Sequence, residues 1–307
     1  MRPWRLIGVL VAALAVVPAA DASQLIDRNA RHVRLTADAH GHALLTYRAH
    51  GRVRRVEAWG AIDARLPNPR LPQVRFHVSY VGGTVRNTCR PYRGPALAWL
   101  VTACKAGDGS YWAVQSWQRQ LPNAGYRPWR RSQTAWELHL AHWRGPLAQL
   151  KVYEDWVYGG RFQQLFGRMT YKGVAVHGYS TSNRGAVLDT YGRNLFLDTY
   201  DSAYGSGWHR ENGFVAHNPS GMWCYDFVPY SAYPGYPHQR NVKLAGEGAK
   251  YRITVQGPGV TPDILWVGNG LPSFNPGDPE LSAFEAQMNA TLDSMRALYG
   301  EHLCGEH

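Results

Sequence analysis

Residue types suited to ligand recognition are concentrated in the segment 177–217, which is rich in Asp, Asn, Arg, Tyr, Trp and His. Two parts of it, 188–193 and 197–201, share a pattern in which an Asp stands two residues before a Tyr. On a β-strand this spacing places the carboxylate and the aromatic ring on the same face. Polar groups beside an aromatic platform are typical of sites for sugars and polyols. The segment therefore predicts a site for a carbohydrate-like ligand.

Two sets of side chains in this segment are candidates for a functional role. The ligand-binding candidates offer carboxylate, amide or guanidinium groups, or aromatic rings, and they are Asp189, Tyr191, Arg193, Asn194, Tyr200, Tyr204 and Trp208. The alternative is a hydrolase that uses general acid–base catalysis, with the candidates Asp198, Asp201, His209 and Glu211. A third interpretation is structural, because Asp, Asn and Gly commonly form turns and buried Tyr and Trp commonly serve packing.

The familiar catalytic and metal-binding motifs are absent from the rest of the chain. It contains no GxSxG, HExxH, P-loop or GxGxxG sequence and no CxxC spacing. His40 and His42 flank Gly41 in a predicted turn, but no third ligand lies near them in the sequence. We therefore predict no metal site and no cofactor. His142 lies on an apolar strand face, where we expect a hydrogen-bonded core histidine.

The N-terminal 22 residues have the pattern of a signal peptide. Arg2 and Arg5 precede an apolar run, residues 6–17, and Ala20 and Ala22 supply the small residues that signal peptidase recognises. The run is shorter than the roughly 20 residues that span a bilayer. We expect cleavage after Ala22 and a secreted or cell-envelope protein whose mature form does not span a membrane.

The four cysteines predict two disulfides, since an even number in an exported protein usually pairs. Pairing of neighbours gives Cys89–Cys104 and Cys224–Cys304. In the chain-entropy model the first bond contributes about 3 kcal/mol and the second, which closes a longer loop, about 4.5 kcal/mol.

The chain is basic, with a formal net charge of +11. Its 28 Arg against five Lys are typical of a high-GC coding sequence, and the Arg residues are dispersed. The densest groups are 52–55 and 127–131, and neither is long enough to be a binding tail. The expected partner is a cell-wall or extracellular glycan, with no nucleic acid, and the sequence leaves the oligomeric state open.

The elements that must position these residues are mostly strands. Alternating apolar residues predict a meander over 32–60, strands over 74–80 and 136–142, and a hairpin formed by 97–104 and 111–118. Trp59, Trp136 and Trp156 lie on predicted strands and are expected in the core. An apolar stripe behind Asp278 and Pro279 predicts one amphipathic C-terminal helix over 279–299.

The fold class predicted from these elements is mainly β, an antiparallel sandwich-like structure or an irregular barrel with that single helix. We expect one β-rich domain over 23–307. The alternative is a subdivision near residues 145–160, where the chain turns and its composition changes.

Short phrases along the chain resemble those of exported proteins of unassigned function from high-GC bacteria. They are Trp59-Gly60-Ala61, the segments 108–112 and 191–194, and Leu197-Asp198-Thr199-Tyr200. The resemblance implies an exported protein and transfers no catalytic residue. The leading hypothesis is a secreted, disulfide-stabilised protein that binds an envelope or extracellular ligand such as a glycan. The alternatives are a secreted hydrolase that uses residues 189–211, and a structural or inhibitor-like exported protein without a small ligand.

Overall fold

The protein is a mainly β structure built from antiparallel sheets. The computed structural model describes residues 23–66, 73–118, 135–157, 162–175, 180–181, 187–188, 195–202, 205–210, 214–217, 222–226 and 248–271, with a few residues between 275 and 290. Twenty strands lie in these ranges, and every strand pair among them is antiparallel. The predicted fold class is confirmed. The helix predicted for 279–299 falls almost entirely outside the described residues.

Sheets A and B form the first of two sandwiches. Sheet A has the strand order β1-β9-β8-β7-β6 and sheet B the order β2-β3-β4-β5. The strands of sheet A are β1 Gln24–Arg28, β6 Arg90–Pro91, β7 Leu100–Lys105, β8 Tyr111–Gln118 and β9 Trp136–Trp143. Those of sheet B are β2 Arg31–Ala37, β3 His42–Ala49, β4 Arg52–Trp59 and β5 His77–Ser79. Alternate residues of both sheets, such as Leu45 and Trp112, fill one buried core.

Sheets C and D form the second sandwich. Sheet C has the order β16-β15-β19-β20, and sheet D the order β10-β11-β18-β17 with β12 beside β11. The strands of sheet C are β15 Leu195–Ser202, β16 Gly205–Arg210, β19 Lys250–Val255 and β20 Ile264–Asn269. Those of sheet D are β10 Gln149–Val157, β11 Phe162–Tyr171, β12 Val174–Ala175, β17 Phe214–His217 and β18 Met222–Asp226. A separate pair comprises β13 Ser180–Thr181 and β14 Val187–Leu188. Leu165 and Ile253 lie in the core between sheets C and D.

The connection between β19 and β20, residues 256–263, ties the second sandwich to the first. All eight of its residues are buried, and Val260 belongs to the core between sheets A and B. The backbone N–H of His142 on β9 donates to the carbonyl of Val260 at 2.7 Å. The connection therefore packs as part of the first sandwich although its two strands belong to the second.

One of the two predicted disulfides is confirmed. Cys89 and Cys104 are bonded, and they join the segment before β6 to the end of β7. Cys224 lies on β18, but Cys304 is outside the described residues, so its pairing with Cys224 stays a prediction.

Candidate functional site

Three of the predicted site residues come together on the face of sheet C that points away from sheet D. On β15, Leu197 and Thr199 are buried toward the core side, so Asp198 and Tyr200 share the opposite face. Trp208 on β16 stands directly across from Tyr200, and their ring centroids are 5.2 Å apart. The placement of a carboxylate and an aromatic ring on one face is the arrangement that the Asp-x-Tyr spacing predicts.

Asp198 is held in a buried ion pair with Arg252. Arg252 lies opposite Asp198 on the neighbouring strand β19. Its Nε and Nη2 atoms each lie 2.9 Å from Asp198 Oδ2, and both side chains are almost fully buried. Removing one partner of such a pair would leave an uncompensated buried charge, so the two side chains fix each other in place.

The guanidinium group of Arg252 also lies between two indole rings. Its Cζ is 4.2 Å from the ring centroid of Trp208 and 5.1 Å from that of Trp99. A cation this close to ring faces is attracted by their quadrupoles. Trp99 in turn contacts Trp136 edge-on, with 6.5 Å between the ring centroids. We call Trp136, Trp99, Trp208 and Tyr200 the aromatic row, in which Arg252 lies between Trp99 and Trp208.

The aromatic row is partly open to solvent. Trp136 is 47% exposed, and Trp99, Trp208 and Tyr200 have intermediate exposure. The indole N–H of Trp99 is buried and has no hydrogen-bond partner within the described part of the chain. Leu100 and Val101, which follow Trp99, are also exposed. The surface thus offers ring faces together with exposed apolar groups.

The expectation that Trp136 and Trp59 lie in the core is not met. Trp136 is the first residue of β9 and is about half exposed. Trp59 lies on the outer face of sheet B with intermediate exposure, while its neighbour Ala58 faces the core. The side chain of Trp156 is outside the described residues.

Asp201 has a local role in the turn between β15 and β16. It adopts a positive φ of 50° and is exposed, and its Oδ1 accepts a hydrogen bond from the N–H of Gly207. Asp198 is engaged by Arg252 and Asp201 by this turn, so each carboxylate already has a structural partner. His209 lies on β16, but its side chain is outside the described residues. The remaining candidates are also outside them, namely Asp189, Tyr191, Arg193, Asn194, Tyr204 and Glu211.

The sequence analysis missed Arg252 and Trp99. Their weak signals are an arginine in the otherwise alternating strand 251–255 and a tryptophan directly before an exposed apolar pair. Neither signal identifies the partner, since Trp99 and Arg252 are far apart in the sequence and meet only through packing of the two sandwiches.

A second polar cluster has the residue types of a catalytic triad but is buried. Ser23 Oγ lies 3.2 Å from His139 Nδ1, and His139 Nε2 lies 3.3 Å from Glu137 Oε2. Burial lowers the pKa of His139, but the hydrogen bond to Glu137 and the charge of Asp263 outweigh it, so the pKa is raised overall. All four residues are buried. A nucleophile that substrate cannot reach performs no hydrolysis, so the cluster is structural.

Asp263 is the centre of that cluster and fastens the 256–263 connection to sheet A. Its Oδ1 accepts hydrogen bonds from the Ser23 hydroxyl at 2.7 Å and from the N–H of Gly257 at 3.1 Å. Its Oδ2 accepts one from Trp117 Nε1 at 2.8 Å. The side-chain amide of Gln115 forms two hydrogen bonds with the backbone of Asp263. Its Nε2 donates to the carbonyl and its Oε1 accepts from the N–H.

His142 is a hydrogen-bonded core histidine, as the sequence predicts. Its Nδ1 donates to the carbonyl of Ala61 at 2.6 Å, and burial lowers its pKa to about 4. The Ser110 hydroxyl lies 2.8 Å from His142 Nε2 and 2.6 Å from Asp108 Oδ1, and its single proton can serve only one of them. The ring of Trp112 stacks on His142 with 3.7 Å between the centroids.

Comparison with known proteins adds no relatives, because no protein-family model, curated protein or solved structure matches this chain. Within the described ranges, no group of three or more His, Cys, Asp or Glu side chains is arranged to hold a metal ion. The same ranges contain no helix with the length and apolar character needed to cross a bilayer.

Proposed function

We propose that this chain is an exported carbohydrate-binding protein and that the aromatic row is its binding surface. The observation that carries the proposal is the position of Arg252 between the rings of Trp99 and Trp208, with its charge balanced by Asp198. Sugar rings present apolar C–H faces that pack on indole and phenol rings, and their hydroxyl groups need polar partners at the edge of the platform.

The rigidity of the row supports binding in preference to a purely structural role. Ion pairing and ring stacking hold the Arg252 side chain, and Trp208 and Tyr200 are packed against each other. Side chains that are already ordered lose little entropy when a ligand binds, which favours affinity. Trp136 extends this ordered group to an exposed position at the end of the row.

Export is the second part of the proposal. It rests on the signal-peptide pattern of residues 1–22 and on the resemblance to exported proteins, and the Cys89–Cys104 disulfide suits an oxidising compartment. Expression of the full chain with its leader, followed by N-terminal sequencing of the protein from the medium or periplasm, should give Ser23 as the first residue. Retention of the intact leader in the cytoplasm would contradict export.

Binding is tested with the exported chain and a panel of insoluble and soluble cell-wall polysaccharides, by co-sedimentation and by calorimetry. Trp136→Ala should weaken the strongest interaction with an uncharged polysaccharide about tenfold, which corresponds to about 1.4 kcal/mol. Tyr80→Ala is the control, because Tyr80 is 55% exposed and takes no part in the ring contacts of the aromatic row. Equal loss in both variants, or no binding to any polysaccharide, would refute the proposal.

A further inference from the structure

The outer face of sheet B collects arginines from three strands. On β3, Leu45 and Tyr47 face the core, so Thr46 and Arg48 face outward. Arg31 on β2 is directly opposite Arg48, while Arg34 on β2 and Arg55 on β4 flank Thr46. Residues that stand opposite each other in an antiparallel pair project from the same face. We call Arg31, Arg34, Arg48 and Arg55 the arginine face.

The positive charge of the arginine face is not balanced within the sheet. Glu57 is the single acidic residue in β2, β3, β4 and β5, and its Oε1 lies 3.0 Å from His42 Nδ1. Among the described residues, no carboxylate pairs with Arg31, Arg34 or Arg48, and all three are exposed. Four like charges on one exposed face attract anions from solution and repel one another when no anion is bound.

A groove lies within the cationic part of this face. Its volume is about 450 Å³, and its lining includes Arg31, Arg48, His50 and Val53. Guanidinium groups recognise carboxylate, sulfate and phosphate oxygens through paired hydrogen bonds. His50 is already paired with Asp27 at 3.0 Å, so Arg31 and Arg48 are the groups of the groove that can pair with an anionic ligand.

The opposite end of the same face carries an aromatic platform. His42, Trp59 and His77 lie side by side on β3, β4 and β5. Each histidine ring stacks on Trp59 with 5.8 Å between the centroids. Glu57 stands beside this platform, and carboxylate oxygens accept hydrogen bonds from sugar hydroxyls.

We infer that the outer face of sheet B binds an acidic polysaccharide, whose sugar rings pack on Trp59 and whose carboxylates pair with the arginine face. The cationic groove and the ring platform share one sheet, so a single extended chain contacts both. Single-stranded nucleic acid is the competing occupant. It is disfavoured because its sites interleave cations with several stacking rings, whereas here the arginines and Trp59 lie at opposite ends of the sheet. The inference goes beyond the aromatic row, since this surface belongs to sheet B and shares no residue with that row.

The experiment measures binding of the exported chain to polygalacturonate by calorimetry at low and moderate salt. Arg31→Gln/Arg34→Gln/Arg48→Gln should weaken binding at least tenfold. It should also flatten the salt dependence of the affinity, because a protein that makes fewer ionic contacts releases fewer counterions when it binds. The matched control, Arg86→Gln/Arg90→Gln/Arg93→Gln, removes the same charge from exposed positions outside sheet B and should change affinity less than twofold.

Further probes separate sugar recognition from simple charge attraction. Trp59→Ala should weaken polygalacturonate binding about fivefold and leave polyphosphate binding unchanged, as expected for ring stacking. Equal effects of the two arginine triples, no effect of Trp59→Ala, or tighter binding of single-stranded DNA than of polygalacturonate would each overturn the inference. Trp136→Ala should leave polygalacturonate binding intact, so failure of this site and failure of the aromatic row are distinguishable.

Discussion

Glu154 should make the stability of this protein fall as the pH rises through neutrality. The residue lies on β10, and its side chain points into the space between sheets C and D. There its carboxylate lies beside Gly268 and Trp266 of β20. Its Oε1 is buried and has no hydrogen-bond partner among the described residues. Burial without compensation disfavours the charged form and raises the pKa of Glu154 from an ordinary 4.5 to about 7.

The sign and size of the effect follow from proton linkage. Between these two pKa values the folded chain holds a proton that the unfolded chain has released, so the stabilisation is complete below pH 4.5 and is lost as the pH passes 7. The full difference corresponds to about 3 kcal/mol. Because the side chain retains some exposure, solvent reduces this value, and we expect about 2 kcal/mol.

The assay is guanidinium unfolding of the parent and of Glu154→Gln at pH 5, 7 and 9. The glutamine variant cannot ionise here, so its advantage over the parent should grow by about 2 kcal/mol from pH 5 to pH 9. The control Asp201→Asn removes an exposed carboxylate whose partner is a backbone N–H and should retain the parent's pH dependence, because Glu154 is still present. Parallel curves for the parent and Glu154→Gln would refute the reasoning about burial of this carboxylate.

Three further outcomes are expected. Replacing Cys89 and Cys104 by Ser should lower the free energy of unfolding by about 3 kcal/mol, and a thermal unfolding midpoint unchanged from the parent would contradict this. Asp263→Ala should lower the free energy of unfolding by about 3 kcal/mol or more, because three buried donors lose their acceptor. Denaturant unfolding measures this change, and Asp201→Ala at an exposed position is the comparison. Acidification from pH 6.5 to about 4 should destabilise the parent, because His142 stays neutral in the fold while it protonates when unfolded. In His142→Asn this contribution to the pH dependence of the free energy of unfolding should be absent. The same dependence on pH in the variant and the parent would contradict the prediction.

Local pattern was enough to predict much of the sheet structure. The segment 111–118 forms β8 with the bounds that its alternation predicts, and a turn closed by the N–H of Gly109 and the carbonyl of Ala106 precedes it. The strand predicted for 74–80 is reduced to His77–Ser79, because only these residues pair with β4. Phe76 instead stacks on Trp112 in the core. Pairing partners decide where a strand begins and ends, and alternation alone does not contain them.

The candidate sites were less accessible to sequence reasoning. The Asp-x-Tyr spacing correctly placed Asp198 and Tyr200 on one face, since strand alternation is a local property. The partner of Asp198 comes from β19, and the ring on the far side of Arg252 comes from the other sandwich. The arginine face likewise depends on the register between β2, β3 and β4, whereas in the sequence its residues look dispersed. Contacts between residues so far apart in the sequence can be predicted only when the sheet topology is known.

The buried 256–263 connection determines when the first sandwich can finish folding. Ser23 and Asp263 are hydrogen-bonded partners 240 positions apart, and Val260 fills space inside the first core. When a chain is delivered from its N-terminal end, the first sandwich is left without one of its core pieces until residue 263 has emerged. Contacts of such long sequence separation form slowly, and until then the apolar surface that Val260 covers is open to other chains. The strands of the first sandwich therefore cannot complete their core before residues 256–263 are available. The yield of folded protein should depend on how well the incomplete sandwich is protected from aggregation during that time.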